Sequence, residues 1–127
     1  MQDMFLIIDF DSTFVTVESL DELAKIALSD RSDREKIVQK IEDITRLGMN
    51  GEMSFAESLE KRVGLFSPTK EHIDLLVSFL RNNITPSIQK NKIFFRHNAD
   101  QIYIISGGFK DFIVPVVEEF GIMPDHV

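Results

Sequence analysis

Two short, uninterrupted apolar runs, Met4 to Ile8 and Ile102 to Ile105, constrain the fold of this chain more than any other feature. Neither alternates with polar residues; the first reads as a strand buried on both faces, as in a parallel sheet, and the second as another short apolar strand. Both stop at polar turns, Asp9-Phe10-Asp11-Ser12-Thr13 after the first and Ser106-Gly107-Gly108 after the second. Nearly everything between them reads as helix. Ser19 with Glu22, Ser32 with Glu35 and Ser54 with Glu57 have capping-box spacing. Each box precedes apolar residues at helical intervals: Leu20, Leu23, Ile26 and Ala27; Ile37, Ile41 and Ile44, up to Gly48; Phe55, Leu59 and Val63. Ser67-Pro68 predicts the start of a fourth helix, with Ile73, Leu76, Val77 and Leu80 inward. Thr85-Pro86 breaks the pattern, a fifth helix is predicted over 87–96, and Phe94-Phe95 would pack it on the sheet. The last helix carries Phe112, Ile113, Val116, Val117 and Phe120, is interrupted by Pro115, and stops near Gly121.

The order strand, helices, strand, helix predicts an α/β fold with a Rossmann-like three-layer core and an inserted helical cap. Residues 1–14 and 85–127 would form the core, and 15–84 the cap after the first strand. In open α/β sheets ligands bind at the carboxyl edge of the strands, where both polar turns fall. The chain has 127 residues, 43% of them hydrophobic, enough for a buried core. With 14 Lys and Arg against 21 Asp and Glu its net charge is −7, which repels a phosphate backbone and excludes a nucleic-acid partner. A small anionic substrate stays compatible, because a local site can be cationic within an acidic whole. The absence of cysteine excludes a disulfide framework, thiolate metal sites and a cysteine nucleophile. Phe5 to Ile8 is too short for a signal-peptide core or a membrane span, so no membrane partner and a cytoplasmic location are expected.

Asp9 and Asp11 flank one residue at the end of an apolar strand. Two carboxylates that close can serve as nucleophile and general acid, or as metal ligands. The same spacing is also common in ordinary turns. Ser106-Gly107-Gly108 before a helix lets backbone approach an anion and offers unpaired amides. The three histidines, His72, His97 and His126, match no motif and read as surface or structural residues.

Asp9-Phe10-Asp11-Ser12-Thr13 resembles the Asp-x-Asp-x-Thr signature of haloacid dehalogenase superfamily phosphatases, and Ser106-Gly107-Gly108 resembles the second signature. The resemblance narrows to the phosphoserine phosphatases. It rests on Asp9 to Ala24, on Gly48 to Phe55 continuing through Ser58-Leu59 to Lys61-Arg62-Val63, and on Ser106 to Phe109.

The resemblance implies hydrolysis of a phosphomonoester, O-phosphoserine to serine and phosphate, through an aspartyl phosphate and with Mg2+ as cofactor. Asp9 would be the nucleophile and a metal ligand. Asp11 would be the general acid and base, its carbonyl on the metal. Ser106 and the Gly107 amide would hold phosphoryl oxygens, Glu18 the substrate ammonium and Arg62 its carboxylate, while Met49 and Phe55 would shape the pocket from the cap. The family's third and fourth motifs, a lysine and an acidic pair, have no counterpart up to Val127. Lys110 and Asp125 stand in the wrong places to substitute. The expectation is therefore a catalytically incomplete N-terminal portion, with self-association through an uncovered edge of the first strand. A non-catalytic module that binds phosphorylated metabolites, and a family phosphatase or phosphotransferase for another small substrate, are the alternatives.

Overall fold

A computed structural model describes residues 4–127. The chain divides into two compact units, one of Met1–Ser19 with Asp74–Val127, the other of Leu20–Ile73. These boundaries differ from the 14/15 and 84/85 divisions read from the sequence. Among the described residues, no helix is long and apolar enough to cross a membrane.

The first unit is built on strands β1 (Leu6–Asp9) and β2 (Ile102–Ile105), paired in parallel with Leu6 beside Ile102 and Asp9 beside Ile105. β2 lies where the apolar run predicts it and buries Ile102 and Ile104. β1 lies on its run as well but does not bury it: Leu6 is 43% exposed and Ile7 62%. The expectation of a strand buried on both faces is corrected here. The described sheet has only two strands, so one edge of β1 has no neighbour and its apolar side chains meet water. An apolar run records what a strand could bury, not what this chain supplies to cover it.

The core of this unit lies where the β1 turn meets the C-terminal segments. Phe14, fully buried, stands 5.0 Å from Phe120 and 6.0 Å from Phe95, ring edge against ring face, and 5.9 Å from Phe10. Such edge-to-face pairs add to the gain from burial alone. Leu76, Val77 and Leu80 are the buried residues of α4 (Lys70–Arg81), and Phe112, Ile113, Val116 and Val117 those of α7 (Lys110–Val117). Arg81 ties α4 to α7 by donating to the Pro115 carbonyl at 3.1 Å. After Pro115 the helix tightens into a 3-10 turn, Glu118–Phe120, and ends on Gly121 at φ 80. The predicted helix over 87–96 is two short helices, α5 (Pro86–Lys90) and α6 (Lys92–His97), separated at Asn91. Of the Phe94-Phe95 pair, Phe95 enters the aromatic cluster while Phe94 is 44% exposed.

The second unit comprises most of α1 (Ser19–Ala27), then α2 (Arg34–Met49) and α3 (Phe55–Phe66). Leu20, Leu23, Ala24, Leu28, Ile37, Ile41 and Phe66 are its buried apolar residues. α2 and α3 approach closely at Gly48, where a Cβ would stand 3.0 Å from Ser58 Oγ. The predicted cap at Ser54 forms, its hydroxyl accepting from the Glu57 amide at 3.2 Å. The predicted Ser32–Glu35 box does not form. The residue before α2 is Asp33, whose carboxylate is taken by two 3.0 Å bonds from Arg31. Ser67-Pro68 does not start α4 either. Ser67 takes a left-handed conformation, φ 42, that closes α3. Thr69 and His72 then exchange hydrogen bonds across the first turn of α4.

Candidate active site

The parallel register places both polar turns at one end of the sheet. Asp9 sits beside Ile105, so Ser106 leaves the sheet next to the turn that begins at Phe10. Neighbouring strands lie ~4.8 Å apart, so two loops far apart in sequence become adjacent. Phe10, between the two aspartates, is fully buried and anchors the turn, while Asp9 is exposed and Asp11 half-buried. The Val15 amide bonds back to the Phe10 carbonyl at 3.1 Å, and Ser12 takes a left-handed conformation, φ 55.

Asp11 Oδ1 accepts from the Ser19 amide at 3.0 Å. The amide that the predicted Ser19–Glu22 box would have left to local capping is thus satisfied from a distance, and Glu22 pairs with Lys25 at 3.3 Å instead. Burial pushes the Asp11 carboxyl up from its ordinary value. The bond from the Ser19 amide pulls it part of the way back, and the Glu18 and Asp9 carboxylates add smaller upward pushes. A carboxyl with a raised pKa beside one at the strand end suits a general acid next to a nucleophile.

Glu18, exposed, accepts from the Ser12 hydroxyl at 2.7 Å and so belongs to the same loop as the aspartates. The loop is fastened from 83–85: the Thr85 amide donates to the Phe14 carbonyl at 2.9 Å, the Thr85 hydroxyl to the Thr13 carbonyl, and the Thr16 amide to the Asn83 carbonyl at 2.9 Å. Ser106 Oγ accepts from the Gly108 amide at 2.9 Å and curls the turn ahead of α7. The structure therefore brings Asp9, Asp11, Glu18, Ser106 and Gly107 to one end of the first unit.

Met49, Phe55 and Arg62 are in the second unit. Met49 is 83% exposed and Phe55 56%. Arg62 is buried; its Nε donates to the Ser58 carbonyl at 3.3 Å and its Nη1 to Thr45 Oγ1 at 3.4 Å. Both partners are neutral, so these bonds orient the guanidinium without cancelling its charge. No sequence motif marks Ser12, Ser19, Thr45 or Thr85 for these contacts. The serine within Asp-x-Asp-Ser-Thr was the one local signal, whereas Thr85 and Thr45 depend on contacts 72 and 17 residues away along the chain.

His126 stacks on Tyr103 with ring centres 4.0 Å apart and its Nδ1 2.9 Å from the Ile102 carbonyl, a structural placement. No group of three or more His, Cys, Asp or Glu that could hold a metal occurs among the described residues. Asp9 and Asp11 are hard oxygen donors, a chemistry that fits Mg2+, which usually takes one or two protein carboxylates and keeps waters.

No family model matches the chain. Human phosphoserine phosphatase is 29% identical over 119 residues, 94% of this chain and 49% of that protein. The chloroplastic phosphoserine phosphatase of Arabidopsis thaliana is 29% identical over 119 residues, 94% of this chain and 38% of that protein. The chain thus spans about half the length, or less, of the curated relatives it matches. Among solved structures, a phosphoserine phosphohydrolase-like protein from Francisella tularensis superposes with a TM-score of 0.79 at 32% identity, covering 97% of this chain and 56% of that one. A phospho-aspartyl intermediate analogue of phosphoserine phosphatase gives 0.66 at 25% identity, covering 94% and 53%. The parallel strand pair with its two polar turns is a haloacid dehalogenase-like architecture, with a partial Rossmann-like core. Over nearly all of its length the chain is similar to phosphoserine phosphatases.

Proposed function

We propose that this chain carries the nucleophile-bearing part of a phosphomonoesterase whose substrate is O-phosphoserine. The observation that carries the proposal is the parallel register, with Asp9 and a half-buried Asp11 at the end of β1 and Ser106 leaving β2 beside them. In this reading the Asp9 carboxylate attacks phosphorus, the ester P–O bond breaks, and the departing serine oxygen takes the Asp11 proton. Water then attacks the aspartyl phosphate, gives its proton to the Asp11 carboxylate, and releases phosphate while Asp9 is restored. The raised pKa of Asp11 supports its holding a proton for the first step. Ser106 Oγ and the Gly107 amide would hold phosphoryl oxygens, and Asp9 with the Asp11 carbonyl would hold Mg2+, which offsets the charge of the phosphate when bound.

The Leu20–Ile73 unit is the cap in this reading. Its buried Arg62, held by neutral partners, is the receptor for the substrate carboxylate, and Glu18 is the receptor for the ammonium. Met49 and Phe55, exposed on that unit, would close over the substrate. The exposed apolar edge of β1 is offered as the place where a further strand adds, from a second copy or another chain.

The test is hydrolysis of O-phosphoserine by the intact protein with Mg2+, beside its Asp9→Asn variant. Loss of the nucleophile is expected to cut the rate by roughly 10³-fold or more, more than ~4 kcal/mol in barrier. Asn retains the shape and leaves the fold in place. A variant within tenfold of the unaltered protein would refute the assignment of Asp9.

A further inference from the structure

Ser12 has no task in the chemistry above, yet its geometry is unusual. Its backbone is left-handed, φ 55 and ψ 17, a region that residues with a Cβ seldom occupy. The conformation is held by the Ser12 amide, which donates to the Val17 carbonyl at 3.1 Å. It aims the Ser12 hydroxyl at Glu18, to which it donates at 2.7 Å. The Ser19 amide on Asp11 Oδ1 and the Thr85 hydroxyl on the Thr13 carbonyl close the loop on either side. The Glu18 carboxylate is exposed at the rim of this closed loop.

A glutamate at a surface samples many rotamers, and a receptor that must first be ordered binds more weakly. A hydroxyl bond to one carboxylate oxygen removes much of that freedom. It uses one of about four acceptor sites on the group, so the second oxygen still faces a cation. The same serine follows directly on Asp11, so ammonium recognition and the proton-handling carboxyl are fixed by one loop.

Resting on the assignment of Glu18 to the substrate ammonium, we infer that Ser12 is a positioning residue that sets selectivity for phosphate esters bearing an amine. It orients Glu18 and touches neither substrate nor the reacting atoms.

The experiment compares calorimetric affinities of the intact protein, without Mg2+ so that neither ester is hydrolysed, for O-phosphoserine and for 3-(phosphonooxy)propanoate, the same ester without the amine. The variants are Ser12→Gly, Ser12→Asn and Glu18→Gln. Glycine removes the hydroxyl without straining the backbone. Asparagine tolerates the left-handed region and carries an amide that can donate to Glu18. The preference for the amine-bearing ester is expected to fall roughly tenfold in Ser12→Gly, as for a lost charge-assisted hydrogen bond. It should fall at least as far in Glu18→Gln and recover in Ser12→Asn. A preference lost in Glu18→Gln but intact in Ser12→Gly overturns the role of Ser12 and spares that of Glu18. Equal weakening of both esters in Ser12→Gly also overturns it, because the serine would then only hold the loop. A preference unchanged in Glu18→Gln overturns the assignment of Glu18 and this inference with it. Binding of neither ester by the unaltered protein overturns the substrate reading beneath both.

Discussion

Replacing Gly108 by alanine adds one methyl group at a crowded point of the turn between β2 and α7. A Cβ there would stand 2.9 Å from Phe112 Cζ, 3.2 Å from Cε1 of the same ring and 3.2 Å from Ser106 Oγ. Carbon atoms prefer about 3.5–4.0 Å, so the ring would have to move by more than half an ångström. Phe112 is fully buried, with the Phe109 ring set edge-on 6.1 Å away, and a buried ring cannot swing aside cheaply. Overpacking of this kind costs ~1–3 kcal/mol. The same substitution at Gly64 meets nothing within 4 Å inside α3, where alanine is the better helix former by ~1 kcal/mol. One chemical change is therefore expected to act with opposite signs at two glycines. Urea titration is the assay for both. Tyr103 is the single tyrosine in a chain without tryptophan, and its fluorescence reports on the unit that contains Gly108. With a urea slope of roughly 1.5–2 kcal/mol per molar, Gly108→Ala should lower the midpoint by about 0.5–2 M. Circular dichroism of Gly64→Ala should show a rise. A Gly108→Ala midpoint equal to that of the unaltered protein would refute the close approach of Gly108 to Phe112.

Two further outcomes are expected. Burial raises the Asp11 pKa, so folding disfavours its charged form relative to the unfolded chain. Its contribution to stability is fully present below the unfolded pKa of about 4 and is lost as pH rises through the folded value. Asp11→Asn keeps an oxygen for the Ser19 amide and carries no charge, so it should be the more stable protein at pH 7 and should lose that advantage in acid. Thermal unfolding at several pH values checks this, and a variant less stable at pH 7 would contradict it. Phe14→Ala removes a fully buried ring that meets Phe10, Phe95 and Phe120, and should cost ~3–5 kcal/mol. A urea titration showing a loss below ~1 kcal/mol would mean the aromatic cluster is not packed as described.

The positions of the strands and of the polar turns that end them are properties of the sequence itself. An apolar run of four or five residues, rich in β-branched and aromatic side chains and closed by a polar turn, is too short for a helix and suits a strand. The Ser54–Glu57 cap was legible for the same reason, since both partners lie within one helical turn. Caps failed as guides where a group from elsewhere was nearer. Asp11 reaches the Ser19 amide across eight residues, and Arg31 occupies Asp33 before it can cap α2. Asp9, Asp11 and Ser106 could be named from their motifs, but only the register that sets Asp9 beside Ile105 makes them neighbours. Ser12 shows the same division within a single residue. Its place between Asp11 and Thr13 is written in the sequence, while the left-handed turn that gives its hydroxyl to Glu18 comes from bonds the loop makes when it closes. The exposure of β1 marks the limit most clearly. Local hydrophobicity records which surfaces favour burial, whereas what lies against them depends on long-range packing that no local pattern encodes.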